Sequence, residues 1–285
     1  MKFLQRDLIP AVSVALLLCS LVGSPGADVL PESKPAATGP TPRLVLPGIH
    51  LTVEGRPAFV FLPPEEKRAN PQPWIFYAPT LPGYPDGAER WMHEQFLASG
   101  IAVAGVDVGE AYGNPKSHAI FDALHRELME KHSFAPKPCL FGRSRGGLWV
   151  SSWAIANPKR VAGIIGIYPV FDFRTYPGIE NAAPAYELTP AELTTRADEF
   201  NPIARVEVLA RARVPVALIH GDVDTVVPLK ENSGEFVRRY KEAGADSLVK
   251  LILLEGQGHS YFEGFFHSQD LVDFAIARAR EGARP

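Results

Sequence analysis

Residues 138–150 read Pro-Cys-Leu-Phe-Gly-Arg-Ser-Arg-Gly-Gly-Leu-Trp-Val. The apolar run at residues 139–141 predicts a buried strand, and the residues after Gly146 are compatible with a helix. So short a turn between a strand and a helix places Ser144 at its apex in a strained backbone conformation. Gly142 and Gly146 lack the Cβ atoms that would collide where strand and helix pack closely. The stretch therefore predicts a serine hydroxyl held above the edge of a sheet.

A serine hydroxyl is a weak nucleophile unless a base accepts its proton and a carboxylate orients that base. Two further strand-like runs, at residues 214–219 and 251–254, are each followed by a polar motif. The first motif, His-Gly-Asp-Val-Asp-Thr-Val-Val-Pro, contains Asp224, and the second, Glu-Gly-Gln-Gly-His-Ser, contains His259. Because the carboxyl ends of parallel strands meet at one edge of a sheet, we expect Ser144, Asp224 and His259 to lie together.

Three aspartates compete for the acidic position beside the histidine. Asp224 belongs to the fuller motif and lies beyond the end of its strand. Asp222 follows the same strand too closely, and we expect it to cap the turn. Asp172 follows the strand predicted at residues 161–168 and would reach the histidine by a different loop path. The sequence favours Asp224 and leaves Asp172 as its rival.

The chain resembles the α/β-hydrolases, and among them the dienelactone hydrolases and the prolyl-oligopeptidase-type esterases. Three motifs carry the resemblance, Gly-Arg-Ser-Arg-Gly-Gly, His-Gly-Asp-Val-Asp-Thr-Val-Val-Pro and Gly-Gln-Gly-His, in the chain order Ser, Asp, His. The resemblance covers residues 74–280 and implies a mostly parallel twisted sheet with helices on both faces. It also implies Ser144 as the nucleophile, Asp224 as the acid and His259 as the base.

The loop after the strand predicted at residues 74–78 supplies one backbone donor to the oxyanion in this fold, and the residue after the nucleophile supplies the other. The loop reads Pro-Thr-Leu-Pro-Gly-Tyr over residues 79–84. Proline has no N–H, which leaves Thr80 or Leu81 as the donor. A similar layout in cutinase-like hydrolases points to Leu81, and the second donor would be the amide of Arg145.

Polar and aromatic side chains in the loops at this edge are candidates for substrate binding. The Arg145 guanidinium would either stabilise negative charge and bind a carboxylate or hydroxyl-rich substrate, or form a structural ion pair with Glu110 or Asp172. A solvated loop is an equally good explanation for Glu110. The candidates are Thr80, Tyr84, Glu110, Arg143, Arg145 and Tyr176.

The composition predicts one α/β domain behind an export signal. The 285 residues carry a net charge of −3, which argues against a nucleic-acid partner. Residues 1–27 contain two basic residues followed by a short apolar stretch, which is typical of a cleaved signal peptide. We therefore expect a secreted or periplasmic protein without stable membrane insertion. Residues 28–47 predict a disordered Pro-rich linker. Residues 48–285 predict the hydrolase domain, with a small lid-like insertion at residues 173–212 over the site.

The sequence predicts neither a metal nor a cofactor. His118, His125 and His132 recur at intervals of seven, but no carboxylate or cysteine joins them at the spacing of metal ligands, and we expect them on the surface. After signal removal Cys139 is the single cysteine, and we expect it to be a buried apolar residue.

These features predict a serine hydrolase that cleaves carboxylic esters through an acyl-enzyme. The lack of a large gating domain favours esters over peptides, and polar and aromatic groups suit an acylated carbohydrate or another small ester. Three alternatives remain open: a peptidase or amidase with the same mechanism, a polyester or lipid esterase, and a catalytically inactive hydrolase fold that serves as a binding protein.

Overall fold

A computed structural model describes residues 44–284 and is built around one open sheet. Its strands are β1 Ile49–Val53, β2 Arg56–Phe61, β3 Trp74–Ala78, β4 Ala102–Val106, β5 Cys139–Arg143, β6 Gly163–Ile167, β7 Val216–Gly221 and β8 Val249–Leu254. The order is β1-β2-β4-β3-β5-β6-β7-β8. Strands β3 to β8 are parallel, while β1 and β2 form an antiparallel hairpin that joins the sheet at β4.

Helices cover both faces of the sheet, as predicted. They are α1 Arg90–Ala98, α2 Pro115–His132, α3 Gly146–Ala156, α4 Ile179–Ala182, α5 Pro190–Thr195, α6 Ala197–Phe200, α7 Pro202–Arg205, α8 Glu207–Arg211, α9 Glu235–Glu242, α10 Glu263–Phe266 and α11 Gln269–Gly282. One apolar core contains buried side chains of α2, α3 and α9, and a second contains those of α1, α10 and α11. Because both faces of the central strands are covered, these strands are continuous apolar runs rather than alternating ones.

The N-terminal boundary of the domain differs from the prediction. Leu46 is buried, and Leu44 and Val45 pack on the same core, although the Pro-rich composition placed them in the linker. One buried and two partly buried apolar side chains pack this segment against the domain. The predicted signal peptide and residues 28–43 of the linker lie outside the described residues and stay predictions. Between residues 44 and 284 no helix has the length and apolarity needed to cross a membrane.

The predicted insertion at residues 173–212 is a chain of short helices, α4 to α8. Thr189 caps α5 in the predicted capping box with Glu192. The buried residues of the insertion join the core beneath α3, and α7 and α8 contact that helix directly. Tyr176 is the residue of the insertion that lines the cleft at the nucleophile. The insertion therefore packs mainly beside the site, and its contribution over the site is one aromatic ring.

His93 is a fully buried titratable group in the second core. Its imidazole lies among the rings of Phe61, Tyr77, Phe96 and Phe141, at centroid distances of 5.3 to 6.1 Å. Neither ring nitrogen has a hydrogen-bond partner among the described residues. Burial therefore lowers the pKa of His93 to about 3, because nothing in this environment replaces the water that would solvate an imidazolium.

Replacing His93 with Phe should make folding less sensitive to acid. Between pH 3 and the ordinary histidine pKa, the unfolded chain binds a proton that the folded chain does not, so the free energy of unfolding falls as pH falls. We expect the wild type to lose about 1 kcal/mol more per pH unit below pH 6 than His93→Phe. Denaturant unfolding from pH 7 to pH 4 measures the difference, and replacement of exposed His50 is the control. Equal slopes for wild type and His93→Phe would contradict the assignment.

Candidate active site

Ser144 lies at the apex of the turn between β5 and α3 in a left-handed backbone conformation, with φ of 49°. The amide of Ser144 donates to the Ile167 carbonyl at 3.0 Å, and the Ser144 carbonyl accepts from the Val170 amide at 2.9 Å. A Cβ atom at Gly146 would collide with the carbonyl oxygen of Ala78. The strained conformation persists because the neighbouring strands hold the turn from two sides.

The three residues that the sequence singled out form one hydrogen-bonded chain. Ser144 Oγ lies 3.0 Å from His259 Nε2, and His259 Nδ1 lies 2.8 Å from Asp224 Oδ2. A carboxylate only accepts hydrogen bonds, so Nδ1 carries the imidazole proton, and Nε2 is left to accept the proton of the hydroxyl. These residues follow β5, β7 and β8, whose carboxyl ends meet at one edge of the sheet.

Asp224 is ionised although its side chain is fully buried. Burial alone would raise its pKa, but hydrogen bonds from His220, His259 and the Val227 amide outweigh burial and hold the pKa of Asp224 well below its usual range. The amides of Val226 and Val227 donate to Oδ1 at 2.9 and 2.8 Å, which leaves Oδ2 for the histidine. The carboxylate is thereby fixed in charge and orientation.

His220, the penultimate residue of β7, supports the same carboxylate from beneath. Its Nε2 lies 2.9 Å from the Val227 carbonyl oxygen and 3.4 Å from Asp224 Oδ2. Both partners are acceptors, so Nε2 carries the proton, and Nδ1 accepts from the Ser233 hydroxyl at 2.8 Å. The sequence motif contained this residue, but its orientation depends on β7 continuing to Gly221, two residues beyond the predicted strand end.

The two rival aspartates are engaged elsewhere. Asp172 receives a two-point ion pair from Arg174 at 2.9 and 2.8 Å and a hydrogen bond from Asn201 Nδ2 at 2.6 Å. Asp222 was predicted to cap its own turn; instead its Oδ1 accepts from the Gly256 amide at 2.7 Å, so it joins the loop after β7 to the loop after β8. Neither carboxylate contacts His259.

The loop after β3 differs from the prediction at Thr80. The Thr80 side chain is buried, its hydroxyl donates to the Tyr77 carbonyl oxygen at 3.4 Å, and it is not among the residues that line the cleft. Leu81 packs on the apolar core, while Pro79 and Tyr84 line the cleft. The assignment of oxyanion donors to the Leu81 and Arg145 amides stays a prediction. The Arg145 amide lies directly before the first residue of α3, where helix amides have no intrahelical acceptor.

A cleft of about 180 Å³ opens above Ser144. Four of the predicted substrate-binding residues, Tyr84, Arg143, Arg145 and Tyr176, line it, and their part in binding stays a prediction. Sequence reasoning missed its remaining aromatic and apolar side chains, of which Tyr168 follows β6 directly and Tyr261 lies two residues after His259. The lining residues are Pro79, Tyr84, Arg143, Ser144, Arg145, Tyr168, Tyr176, Val226, His259, Ser260 and Tyr261.

Arg145, which lines the cleft, forms an ion pair with Glu110, which is not among the lining residues; one of the two sequence interpretations predicted this pair. The side chains are 27% and 43% exposed, so both remain accessible to a ligand. The Arg145 guanidinium also lies 5.9 Å from the centroid of the Tyr176 ring. The pair offers donors and acceptors side by side with an aromatic surface next to them.

Arg143 was predicted as a substrate-binding residue, and this stays a prediction, but the structure gives its side chain a second set of contacts. Its guanidinium is nearly inaccessible and pairs with Asp86 Oδ2 at 2.9 Å and Glu89 Oε2 at 3.0 Å. Burial by itself would lower the pKa of Arg143, but the Glu89 carboxylate more than offsets burial, and the pKa is raised. The side chain lines the cleft, and its Nε and Nη1 donors are engaged by Tyr168, Asp86 and Glu89.

The predicted surface histidines are also corrected in part. His125 is buried and contacts the Pro136 carbonyl oxygen and Arg160, and His118 contacts Ser152 Oγ at 2.9 Å. Helix α2 lies against the sheet along this side, which turns both rings inward. Within residues 44–284 no group of three or more histidine, cysteine or acidic side chains is arranged to hold a metal ion. Cys139 is buried in the second core, as expected.

Comparison with known proteins identifies the family. The sequence profile of the prolyl oligopeptidase family matches residues 121–274, more than half of the chain. The chain belongs to the prolyl oligopeptidase family. The matched segment contains Ser144, Asp224 and His259. No curated protein matches the chain.

Solved structures with the same fold include peptidases and esterases. The chain is similar to a Mycobacterium tuberculosis puromycin-hydrolyzing peptidase, with a TM-score of 0.60 and 18% identity over 83% of this chain and 39% of that one. It is also similar to Mycobacterium tuberculosis MPT51, with a TM-score of 0.64 and 14% identity over 82% of this chain and 100% of that one. A third similar structure is Est1E from Butyrivibrio proteoclasticus, with a TM-score of 0.59 and 19% identity over 82% of this chain and 98% of that one. This chain spans about two fifths of the length of the puromycin-hydrolysing enzymes. Fold and family together place this chain in the α/β-hydrolase superfamily.

Replacing Asp224 with Asn should lower hydrolytic turnover per folded molecule by roughly 10⁴-fold, because an amide at this position favours the wrong imidazole tautomer. Asp222→Asn and Asp172→Asn should lower turnover far less. Asp172→Asn also loses the ion pair with Arg174, so its melting temperature should fall. Turnover normalised to folded protein measures this. A large loss in Asp172→Asn together with near-normal turnover in Asp224→Asn would overturn the assignment.

Proposed function

We propose that this protein hydrolyses carboxylic esters through an acyl-enzyme formed on Ser144. The observation that carries the proposal is the unbroken chain from the Ser144 hydroxyl through His259 to Asp224, which opens into a cleft. Catalytically inactive relatives of such a fold have no need to keep all three groups at hydrogen-bond distance. The geometry therefore supports an enzyme over a binding protein.

In the proposed mechanism His259 Nε2 takes the hydroxyl proton as Ser144 Oγ attacks the ester carbonyl carbon. The imidazolium is stabilised by Asp224, whose charge is fixed by the amides of Val226 and Val227. The amides of Leu81 and Arg145 would donate to the oxyanion. His259 then protonates the leaving alcohol, and water, deprotonated by the same imidazole, attacks the acyl-enzyme and releases the acid.

We propose an acylated carbohydrate or similar small polyhydroxylated ester as the substrate. A cleft of about 180 Å³ suits a short acyl group better than a long one. The Arg145–Glu110 pair is neutral overall, so it has no strong preference for an anion, but it presents a donor and an acceptor that a pair of neighbouring hydroxyl groups would satisfy. The Tyr176 ring beside it offers an apolar face for a sugar ring.

A peptidase with the same mechanism is the second candidate, and the comparisons favour it. The family is that of prolyl oligopeptidase, and solved relatives include a puromycin-hydrolyzing peptidase. Those enzymes are more than twice as long as the part aligned with this chain. Parallel assays with aminoacyl-p-nitroanilides and p-nitrophenyl esters decide between the two, because each chromophore reports one kind of bond. Faster cleavage of the anilides, measured as kcat/KM, would replace the ester proposal by the peptidase one.

Replacing Ser144 with Ala should abolish ester turnover by about four to six orders of magnitude while the fold remains intact, because the acyl-enzyme loses its attachment point. Circular dichroism and melting temperature check the fold, and initial rates with p-nitrophenyl acetate give turnover. A fluorophosphonate probe should label the wild type but not the variant. Substantial turnover in well-folded Ser144→Ala protein would refute the mechanism.

Replacing Glu110 with Gln should weaken the binding of an acetylated sugar but not of p-nitrophenyl acetate. Loss of the carboxylate removes one acceptor for the hydroxyl groups, and we expect KM for the sugar ester to rise about 5- to 20-fold, in line with the energy of a charged hydrogen bond. Asp270→Asn, in an exposed ion pair with Lys250, is the matched control. An equal rise in KM for both esters, or none for either, would contradict a sugar-binding role.

A further inference from the structure

Arg143 is the last residue of β5 and directly precedes Ser144, yet it is only 4% exposed. Its guanidinium donates from Nη1 to Asp86 and Glu89 and from Nε to the Tyr168 hydroxyl at 3.3 Å. Asp86 and Glu89 follow β3, and Tyr168 follows β6. One side chain therefore joins the nucleophile strand to the loops of its two neighbours in the sheet.

Three aromatic rings surround the same guanidinium. The Arg143 Cζ atom lies 5.2 Å from the ring centroid of Tyr84, 5.0 Å from that of Tyr261 and 4.9 Å from that of Phe266. Tyr84 belongs to the loop after β3, while Tyr261 and Phe266 belong to the segment that also carries His259. At such distances a cation is attracted to each ring face. The guanidinium thus also holds the segment of the catalytic histidine.

The histidine itself is in contact with this assembly. The Tyr168 ring lies 4.2 Å, centroid to centroid, from the imidazole of His259. The Tyr261 hydroxyl donates to Asp86 Oδ2 at 3.3 Å, which is the oxygen that also accepts from Arg143. Two routes therefore lead from Arg143 to His259, one through the Tyr168 ring and the other through Tyr261.

The polar partners of Arg143 are the buried Glu89 and Tyr168 and the partly buried Asp86. Glu89 is fully buried and accepts from Arg143, from the Tyr77 hydroxyl at 2.7 Å and from the Asp86 amide at 3.0 Å. A buried carboxylate with these donors would be left short of one charge partner if Arg143 were removed. A lysine at this position would keep the charge. It lacks the planar guanidinium, which hydrogen-bonds to Asp86, Glu89 and Tyr168 and stacks among the three rings.

We propose that Arg143 is a positioning residue of the hydrolytic site, which fixes the loop after β3, Tyr168 and the His259 segment against the strand of the nucleophile. Its effect on the reaction is indirect: it keeps the imidazole within hydrogen-bond distance of the Ser144 hydroxyl. This inference rests on the proposed function. It also explains why the residue before the nucleophile is charged although its side chain is buried.

The test compares Arg143→Lys and Arg143→Met with the wild type on p-nitrophenyl acetate, a substrate too small to need loop contacts for binding. We expect kcat per folded molecule to fall about 10- to 100-fold in both variants with KM changed less than about threefold, as a displacement near 1 Å of a reacting group would cause. The labelling rate with a fluorophosphonate should fall in parallel, because that reaction uses the same hydroxyl and imidazole.

Arg160 offers a matched control away from the cleft. It pairs with Asp122 at 2.6 Å, contacts His125 Nδ1 at 2.9 Å and lies 5.0 Å from the Trp153 ring centroid. Arg160→Lys and Arg160→Met remove a comparable network, and we expect lower melting temperatures with wild-type kcat. If the Arg143 variants behave in the same way, with lower stability and unchanged kcat, then Arg143 is only structural and the proposal is wrong.

Two further measurements keep the proposal testable if the Met variant does not fold. Asp86→Asn keeps the Oδ1 atom that accepts from the Ala88 amide. It replaces Oδ2, which accepts from both Arg143 and Tyr261, with an NH2 donor. We expect kcat to fall about 3- to 10-fold, which corresponds to the loss of one charged hydrogen bond. Millimolar methylguanidinium should restore part of the activity of Arg143→Ala and leave the kcat of Arg160→Ala unchanged. Wild-type kcat in Asp86→Asn and no rescue would overturn the proposal.

The Ser144→Ala variant separates failure of this inference from failure of the proposed function. If Ser144→Ala keeps its activity, the reaction does not use this site and both ideas fall. If Ser144→Ala is inactive while the Arg143 variants keep wild-type kcat, the ester mechanism stands and the positioning role alone is rejected.

Discussion

The left-handed turn at Ser144 is the constraint on which the site depends. A serine in this conformation is unfavourable by itself, and the surrounding backbone holds it there through the hydrogen bonds to Ile167 and Val170. Gly146 permits the start of α3 to lie directly beneath the carbonyl of Ala78. The position of the nucleophile is therefore set by the packing of β3, β5 and β6 together, and a shift in any of them would move the hydroxyl.

The rest of the triad reaches the same place because of strand order. Strands β5, β6, β7 and β8 are neighbours and parallel, so the loops that follow them share one edge, and two of them meet above Ser144. Asp224 is buried without becoming neutral, since His220 and two backbone amides supply the donors that water would otherwise provide. The residues at the end of β7 therefore keep Asp224 negatively charged in the absence of substrate, and this charge can stabilise an imidazolium.

Most of the fold and the chain from Ser144 to Asp224 could be predicted from the sequence, because strand–turn–helix succession and chain order are local and periodic properties. The orientation of side chains in irregular loops could not be predicted. Thr80 turns inward because its hydroxyl meets the Tyr77 carbonyl oxygen, and nothing in the loop sequence indicates this. Leu46 joins the core from a segment that its prolines assign to a linker. In both cases tertiary contacts decide the position.

The two arginines beside the nucleophile show how one residue type acquires two roles. Arg143 ends a strand, where the pleat directs its side chain into the space beneath the cleft, and two carboxylates and three aromatic rings neutralise and enclose its charge. Arg145 begins the turn of α3 two residues later and reaches the surface, where its single carboxylate partner, Glu110, remains accessible. The first therefore has its Nε and Nη1 donors committed to protein groups, while the second can exchange protein contacts for ligand contacts. Sequence spacing alone cannot make this distinction, because it depends on which neighbouring loop supplies the carboxylates.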